Sequence, residues 1–175
     1  MRLKKIGCVM LAVALILSVY TPVSSYGAAK FPDASGHWAE RYINEAVSAG
    51  FVGGYPDGKF KPDKAVTRAE FATMINKALG NSGTASISFK DVSSRDWYYN
   101  DISKALAASY AAGYSDGTFK PNSPITRQEA AVMLSRIVTA GRSGNLKSYA
   151  DSASIGSWAY DAMEKVNGKG YIGAY

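Results

Sequence analysis

Residues 54–71, GYPDGKFKPDKAVTRAEF, decide how this chain is read, because residues 113–130, GYSDGTFKPNSPITRQEA, repeat them 59 positions later. In each copy a Gly-rich turn runs through Phe60-Lys61-Pro62 or Phe119-Lys120-Pro121 into Thr-Arg-x-Glu. Thr67 with Glu70, and Thr126 with Glu129, have the spacing of a capping box. The Thr hydroxyl accepts from an amide of the first helical turn, and the Glu carboxylate accepts from the amide of the Thr. Apolar residues follow at Phe71, Met74, Ile75, Ala78 and Leu79, and at Ala130, Met133, Leu134, Ile137 and Val138. That period predicts two helices, each burying one face.

Arg68 and Arg127 occupy the first position of those helices, where the macrodipole disfavours a cation by ~0.3–1 kcal/mol. Two explanations stand. Each Arg pairs with a nearby carboxylate, or each joins the unpaired helix-start amides in receiving an external anion. Recurrence in both copies favours the anion.

Upstream, His37-Trp38-Ala39 predicts the start of a helix in which Trp38, Tyr42, Ile43, Ala46 and Val47 share a face, with Gly50 and Gly53 ending it. Tyr55-Pro56-Asp57-Gly58 reads as a turn. The second copy keeps this register: Trp97 follows Trp38 by 59 residues, and its first helix carries Ile102, Leu106 and Tyr110. A third copy opens at Tyr149-Ala150-Asp151, aligns Trp158 with the other two Trp, and reaches Tyr175 with no Asp-Gly turn and no Thr-Arg-x-Glu. The expected organisation is a leader (1–29), a first repeat (30–80), a linker (81–88), a second repeat (89–139), a linker (140–148) and a truncated third repeat (149–175). Because repeat units bury their faces against neighbours, the half copy either caps the second repeat or leaves an apolar face uncovered.

The leader is read from Arg2, Lys4 and Lys5, the apolar run Ile6 to Val19, and the small residues Ser25, Gly27 and Ala29. That is a secretory signal cleaved after Gly27 or Ala29; a run of 14 residues falls short of the ~20 that span a bilayer. Without it the net charge drops from +6 to +3, with 17 basic residues against 14 acidic ones. No basic stripe for nucleic acid remains. The single cysteine, Cys8, lies inside the leader, so the mature chain is expected to have no disulfide, no thiolate metal site and no cysteine nucleophile.

The aromatic-x-Asp openings (Phe31-Pro-Asp33, Phe89-Lys-Asp91, Tyr149-Ala-Asp151), the Trp at each first helix, GY-x-DG-x-F-x-P and [VI]-T-R-x-E together resemble S-layer homology domains over essentially all of the mature chain. The resemblance implies an all-α fold, normally three tandem copies forming a three-pronged pseudo-trimer around a helical bundle, here incomplete. It also implies noncovalent anchoring to secondary cell wall polysaccharide, through a pyruvylated amino sugar held between prongs, at the surface of a bacterium. By this resemblance Arg68 and Arg127 bind the carboxylate, and Gly54, Gly58, Gly113 and Gly117 with Asp57 and Asp116 belong to the turns that approach the sugar. Trp38, Trp97 and Trp158 either stack on the ligand or pack in the core. Thr67, Glu70, Thr126 and Glu129 are assigned to capping. The third Thr-Arg-x-Glu is missing, so its groove should be absent or crippled. Ala174 stands where Gly54 and Gly113 do, and Ser115 where Pro56 does.

Three rival readings stand beside this one. Ser-His-Asp chemistry would have to use His37, the one histidine, which reads as a local helix-start residue, and Asp57 and Asp116 sit in turns where Asp-Gly is a backbone device. Catalysis is therefore not expected, and neither is a cofactor. Asp33, Asp57 and Asp63 lack the ligand spacing of a calcium loop. An assembly protein that self-associates through the incomplete third repeat, without binding sugar, is the alternative function.

Overall fold

The computed structural model describes residues 30–139 and 144–172; the expected leader, Cys8, part of the second linker and Ala174 lie outside them. Five helices follow one another: α1 (Glu40–Ser48), α2 (Arg68–Leu79), α3 (Tyr99–Ala107), α4 (Arg127–Ser135) and α5 (Tyr160–Gly168). Single 3-10 turns occur at Pro32–Ala34, Leu146–Ser148, Ser152–Ser154 and Ser157–Ala159. The described residues contain no strand, only an antiparallel bridge between Thr67 and Pro124. The chain is all-α.

The helices start and stop for identifiable reasons. At α2 the Glu70 amide donates to Thr67 Oγ1 at 3.2 Å and the Thr67 amide donates to Glu70 Oε2 at 2.7 Å. At α4 the same two bonds measure 3.2 and 2.9 Å. Gly80, at φ +65°, terminates α2 in the left-handed conformation that glycine adopts without strain. The first helix begins later than its sequence suggests, because the Ala39 amide donates to His37 Nδ1 at 3.1 Å and the segment before Glu40 stays a turn. Trp38 and Trp97 fall in the turns before α1 and α3, outside the helical period, and are 62% and 61% exposed. They do not join Ile43 and Ala46 on the buried face. The fourth helix ends at Ser135, so Ile137 and Val138 pack on the core from beyond its end rather than along its face.

Packing joins neighbouring copies. The third helix lies on α2 and α5 lies on α4, around one core that includes Phe31, Ile43, Phe71, Ile102, Phe119, Leu134 and Val166. Each large apolar side chain enclosed there contributes roughly 1.5–3 kcal/mol. A polar seam fixes the first pairing. The Tyr110 hydroxyl donates to Ala72 O at 3.0 Å and Asn76 Oδ1 at 2.9 Å, and Asn76 Nδ2 donates to Asp101 O at 2.8 Å.

Two devices shape the loops. The Asp of each of the first two openings accepts two consecutive amides from the later turn: Asp33 from Phe60 and Lys61 at 2.9 and 2.7 Å, Asp91 from Phe119 and Lys120, each at 2.8 Å. These bonds hold Lys61 and Lys120 at φ +57°, a conformation that costs a non-glycine residue about 1 kcal/mol or more. The second device is a docked helix start. The Arg68 amide donates to Ser123 O at 2.9 Å, the Ala69 amide to Pro121 O at 3.0 Å, and the Ile125 amide to Val66 O at 3.0 Å.

Candidate functional site

That docking determines what becomes of Arg68. The amides of Arg68, Ala69 and Glu70 are all taken, by Ser123, Pro121 and Thr67. They are therefore not an anion receptor, contrary to the sequence expectation: the loop of the following repeat supplies the carbonyls that an external ligand was expected to replace. The side chain behaves differently. Arg68 is only 7% exposed, with its guanidinium over the rings of Tyr114 at 5.1 Å and Phe119 at 4.9 Å. Stacking of this kind offsets the unfavourable helix-start position. Its Nη2 donates to Ala112 O at 2.8 Å, its Nε has no partner, and no carboxylate lies within ion-pair distance among the described residues.

Arg68 lines a cleft of about 320 Å³. The turn residues Gly113 and Tyr114 form one wall, α4 supplies another through Glu129, Val132 and Met133 with Arg136 just past its end, and Trp158, 62% exposed, borders it from the C-terminal segment. One cleft thus draws on all three repeat copies. Within it Tyr114 donates a short hydrogen bond to Glu129 Oε1. Burial and that bond push the Tyr114 hydroxyl up to about 12. Burial also pushes the Glu129 carboxyl up, but the Tyr114 hydroxyl, the Thr126 amide and hydroxyl and the Arg68 charge together hold it below its ordinary value. Glu129 is therefore an ionised acceptor already engaged by three donors, and Arg68 is a desolvated cation with a donor to spare.

Of the remaining candidates, Gly113 and Trp158 line this cleft and the others do not. Arg127 Nη1 is 3.5 Å from Asp151 Oδ2, the carboxylate pairing weighed from sequence. The Asp57 carboxylate receives Lys61 Nζ at 2.7 Å and the Lys59 amide at 3.2 Å; that of Asp116 receives the Thr118 hydroxyl at 2.6 Å and amide at 2.9 Å. Lys61 beside Asp57, and Thr118 beside Asp116, hold both carboxyls below the ordinary range. Both Asp close their own turns, and neither lines the cleft. Gly58 and Gly117 adopt φ +75° and +80° in those turns. Gly54 and Gly113 serve close packing instead: a Cβ on Gly113 would come 2.2 Å from the Phe89 ring and 2.8 Å from Thr118 O, and one on Gly54 would meet Phe31 and Lys59 O. Trp38 and Trp97 sit against His37 and Tyr98, outside the cleft.

The first repeat contains the counterpart of the Tyr–Glu pair. There Tyr55 donates to Glu70 Oε1 at 2.9 Å, and Lys64 from the same loop approaches Glu70 at 3.2 Å and the Tyr55 ring at 4.3 Å. The position that Arg68 holds over Tyr114 is filled over Tyr55 by a local lysine. Tyr114 and Arg136 escaped the sequence reading. The signal for Arg136 was its place seven residues after Glu129, on the same helical face.

The comparisons with known proteins now bear on this geometry. Residues 30–72 and 88–131 match the S-layer homology domain. The chain belongs to the S-layer homology family. Among S-layer homology relatives, a surface-layer 125 kDa protein of Lysinibacillus sphaericus is 31% identical over 91% of this chain and 14% of its own length. A cellulosome-anchoring protein of Acetivibrio thermocellus is 35% identical over 71% of this chain and 29% of its own length. An amylopullulanase of Thermoanaerobacterium thermosulfurigenes is 36% identical over 76% of this chain but only 7% of its own length. This chain thus spans less than a third of the length of each of these relatives. The described residues contain no cluster of three metal-ligating side chains, and no helix among them is long and apolar enough to cross a membrane.

Proposed function

We propose that this S-layer homology chain is a non-catalytic module that anchors at the bacterial cell surface by holding an acidic secondary wall polysaccharide, with the ligand's carboxylate received by Arg68 in the cleft. One observation carries the reading: an arginine more than nine-tenths buried, whose enclosed Nε has no partner, lining an open cleft. A buried cation that lacks a carboxylate is costly, and an incoming carboxylate offsets that cost with charge-assisted hydrogen bonds. The wall formed by Trp158 and the close-packed turn at Gly113 suit a sugar ring beside the acid. A pyruvate ketal on an amino sugar is the ligand chemistry that fits one carboxylate with an apolar methyl and a ring. The names of the surface-layer and cellulosome-anchoring relatives support the same location.

Cosedimentation with bacterial wall sacculi tests this. The parent should pellet with intact wall and stay in solution with wall stripped of its secondary polysaccharide. Arg68→Gln should stay in solution with either, while Arg127→Gln, whose arginine faces Asp151, should still pellet; circular dichroism reports that all are folded. Undiminished pelleting of Arg68→Gln overturns the assignment. A folded parent that ignores intact wall favours the assembly role.

A further inference from the structure

We infer that Arg136 is a second ligand-reading group of the cleft, taking an acceptor oxygen of the glycan other than the carboxylate held by Arg68. This rests on the acidic-glycan reading above. Glu129, Val132 and Met133 recur at i, i+3 and i+4 along α4, Arg136 follows at its C-cap, and all four line the cleft, so the wall that α4 gives the cleft ends in a cation. Its placement is linked to that of Arg68. Arg68 Nη2 donates to Ala112 O, and Arg136 Nη1 donates to Tyr110 O at 3.4 Å. Those carbonyls belong to residues two apart, which a chain can separate by at most about 7 Å.

Two guanidinium groups therefore attach to one short backbone stretch and border one cleft. Neither pairs with a carboxylate among the described residues. The carboxylate that lines the same cleft, Glu129, already accepts from the Thr126 amide, the Thr126 hydroxyl and the Tyr114 hydroxyl. Like charges this close repel, and a ligand offering separate acceptors to each relieves both. Arg136 is exposed and its bond to Tyr110 is long, so it can turn its remaining donors toward the ligand. Its position just past the C-terminus of α4 is electrostatically favourable without any ligand, and the test must separate that role.

Two probes do so: an oligosaccharide released from the wall with its pyruvate ketal intact, and the same oligosaccharide after the ketal is removed by mild acid. Both are titrated by NMR, which reads millimolar binding and reports folding in the same spectra. Arg68→Gln should weaken only the ketal-bearing probe. Arg136→Gln should weaken both by the same factor, about tenfold or more, as loss of one charge-assisted hydrogen bond implies. If Arg136→Gln weakens only the ketal-bearing probe, both arginines read one carboxylate and the inference fails. It also fails if that variant lowers thermal stability and leaves both affinities unchanged, or if the parent does not bind the ketal-free probe at all. Should the parent bind both probes equally, the carboxylate assignment falls, while an equal loss in Arg136→Gln still supports the second contact.

Discussion

Arg68 is repelled by its own helix start and retained by what the next repeat places around it, two aromatic rings and one carbonyl. The residues that hold those partners in place should therefore matter as much as the cation. Gly113→Ala forces a methyl against Phe89 and Thr118 O and should cost about 1–3 kcal/mol, the usual range for overpacking; urea denaturation measures it. Asp33 acts in a similar supporting role. The amides of Phe60 and Lys61, opposed by burial, hold its carboxyl below the ordinary 3.8. Its contribution is complete above that value and is lost as the pH falls through the lower folded value. In Asp33→Asn the acid arm of the pH–stability curve should be shallower than in the parent. The sequence marks Asp33 as part of the aromatic-x-Asp opening but gives it no structural role, because the amides that it caps lie 27 and 28 residues away and no local pattern reveals them.

Helices show the opposite balance between sequence and structure. The capping boxes at Thr67 and Thr126 were legible because the whole interaction lies within four residues, and Thr67→Ala should cost ~1 kcal/mol in thermal unfolding. Glu70 and Glu129 make these caps sensitive to acid. Burial raises both carboxyls, but the cap amides and Tyr hydroxyls, with Lys64 at Glu70, bring them below the ordinary 4.5. Cap stability is thus complete above that pH and declines as the pH drops through the folded values; melting curves between pH 7 and 3 should show the decline, reduced in Glu70→Gln. The pairing of α3 on α2 was less legible. Tyr110 reads from sequence as one more apolar residue of a helical face, yet it stands past the end of α3 and secures α2 through its hydroxyl. Tyr110→Phe should lose about 1 kcal/mol, seen as a lower melting temperature. The Trp positions misled for a related reason: periodicity was extended into turns where it has no force.

At the scale of the whole molecule, the cleft depends on contacts that no single repeat contains. The repeat order and the all-α fold could be read from the 59-residue recurrence, whereas the meeting of Arg68 with Ala112, 44 residues on, could not, because spacing does not reveal which copy's helix start docks on which copy's loop. Removing residues 145–175 should take away Trp158 and expose the α4 face of Ala130, Met133 and Leu134, lowering the calorimetric transition and abolishing pelleting with wall. The docked helix start also bears on how such arrays change over generations. Arg68 comes from one copy, its aromatic support from the next, and the facing Trp158 from the segment after that, so the inherited unit of recognition is the junction between repeats. A crossover at a repeat boundary would leave every copy intact and still erase or create a site, which makes the order of copies, more than their number, the quantity under selection.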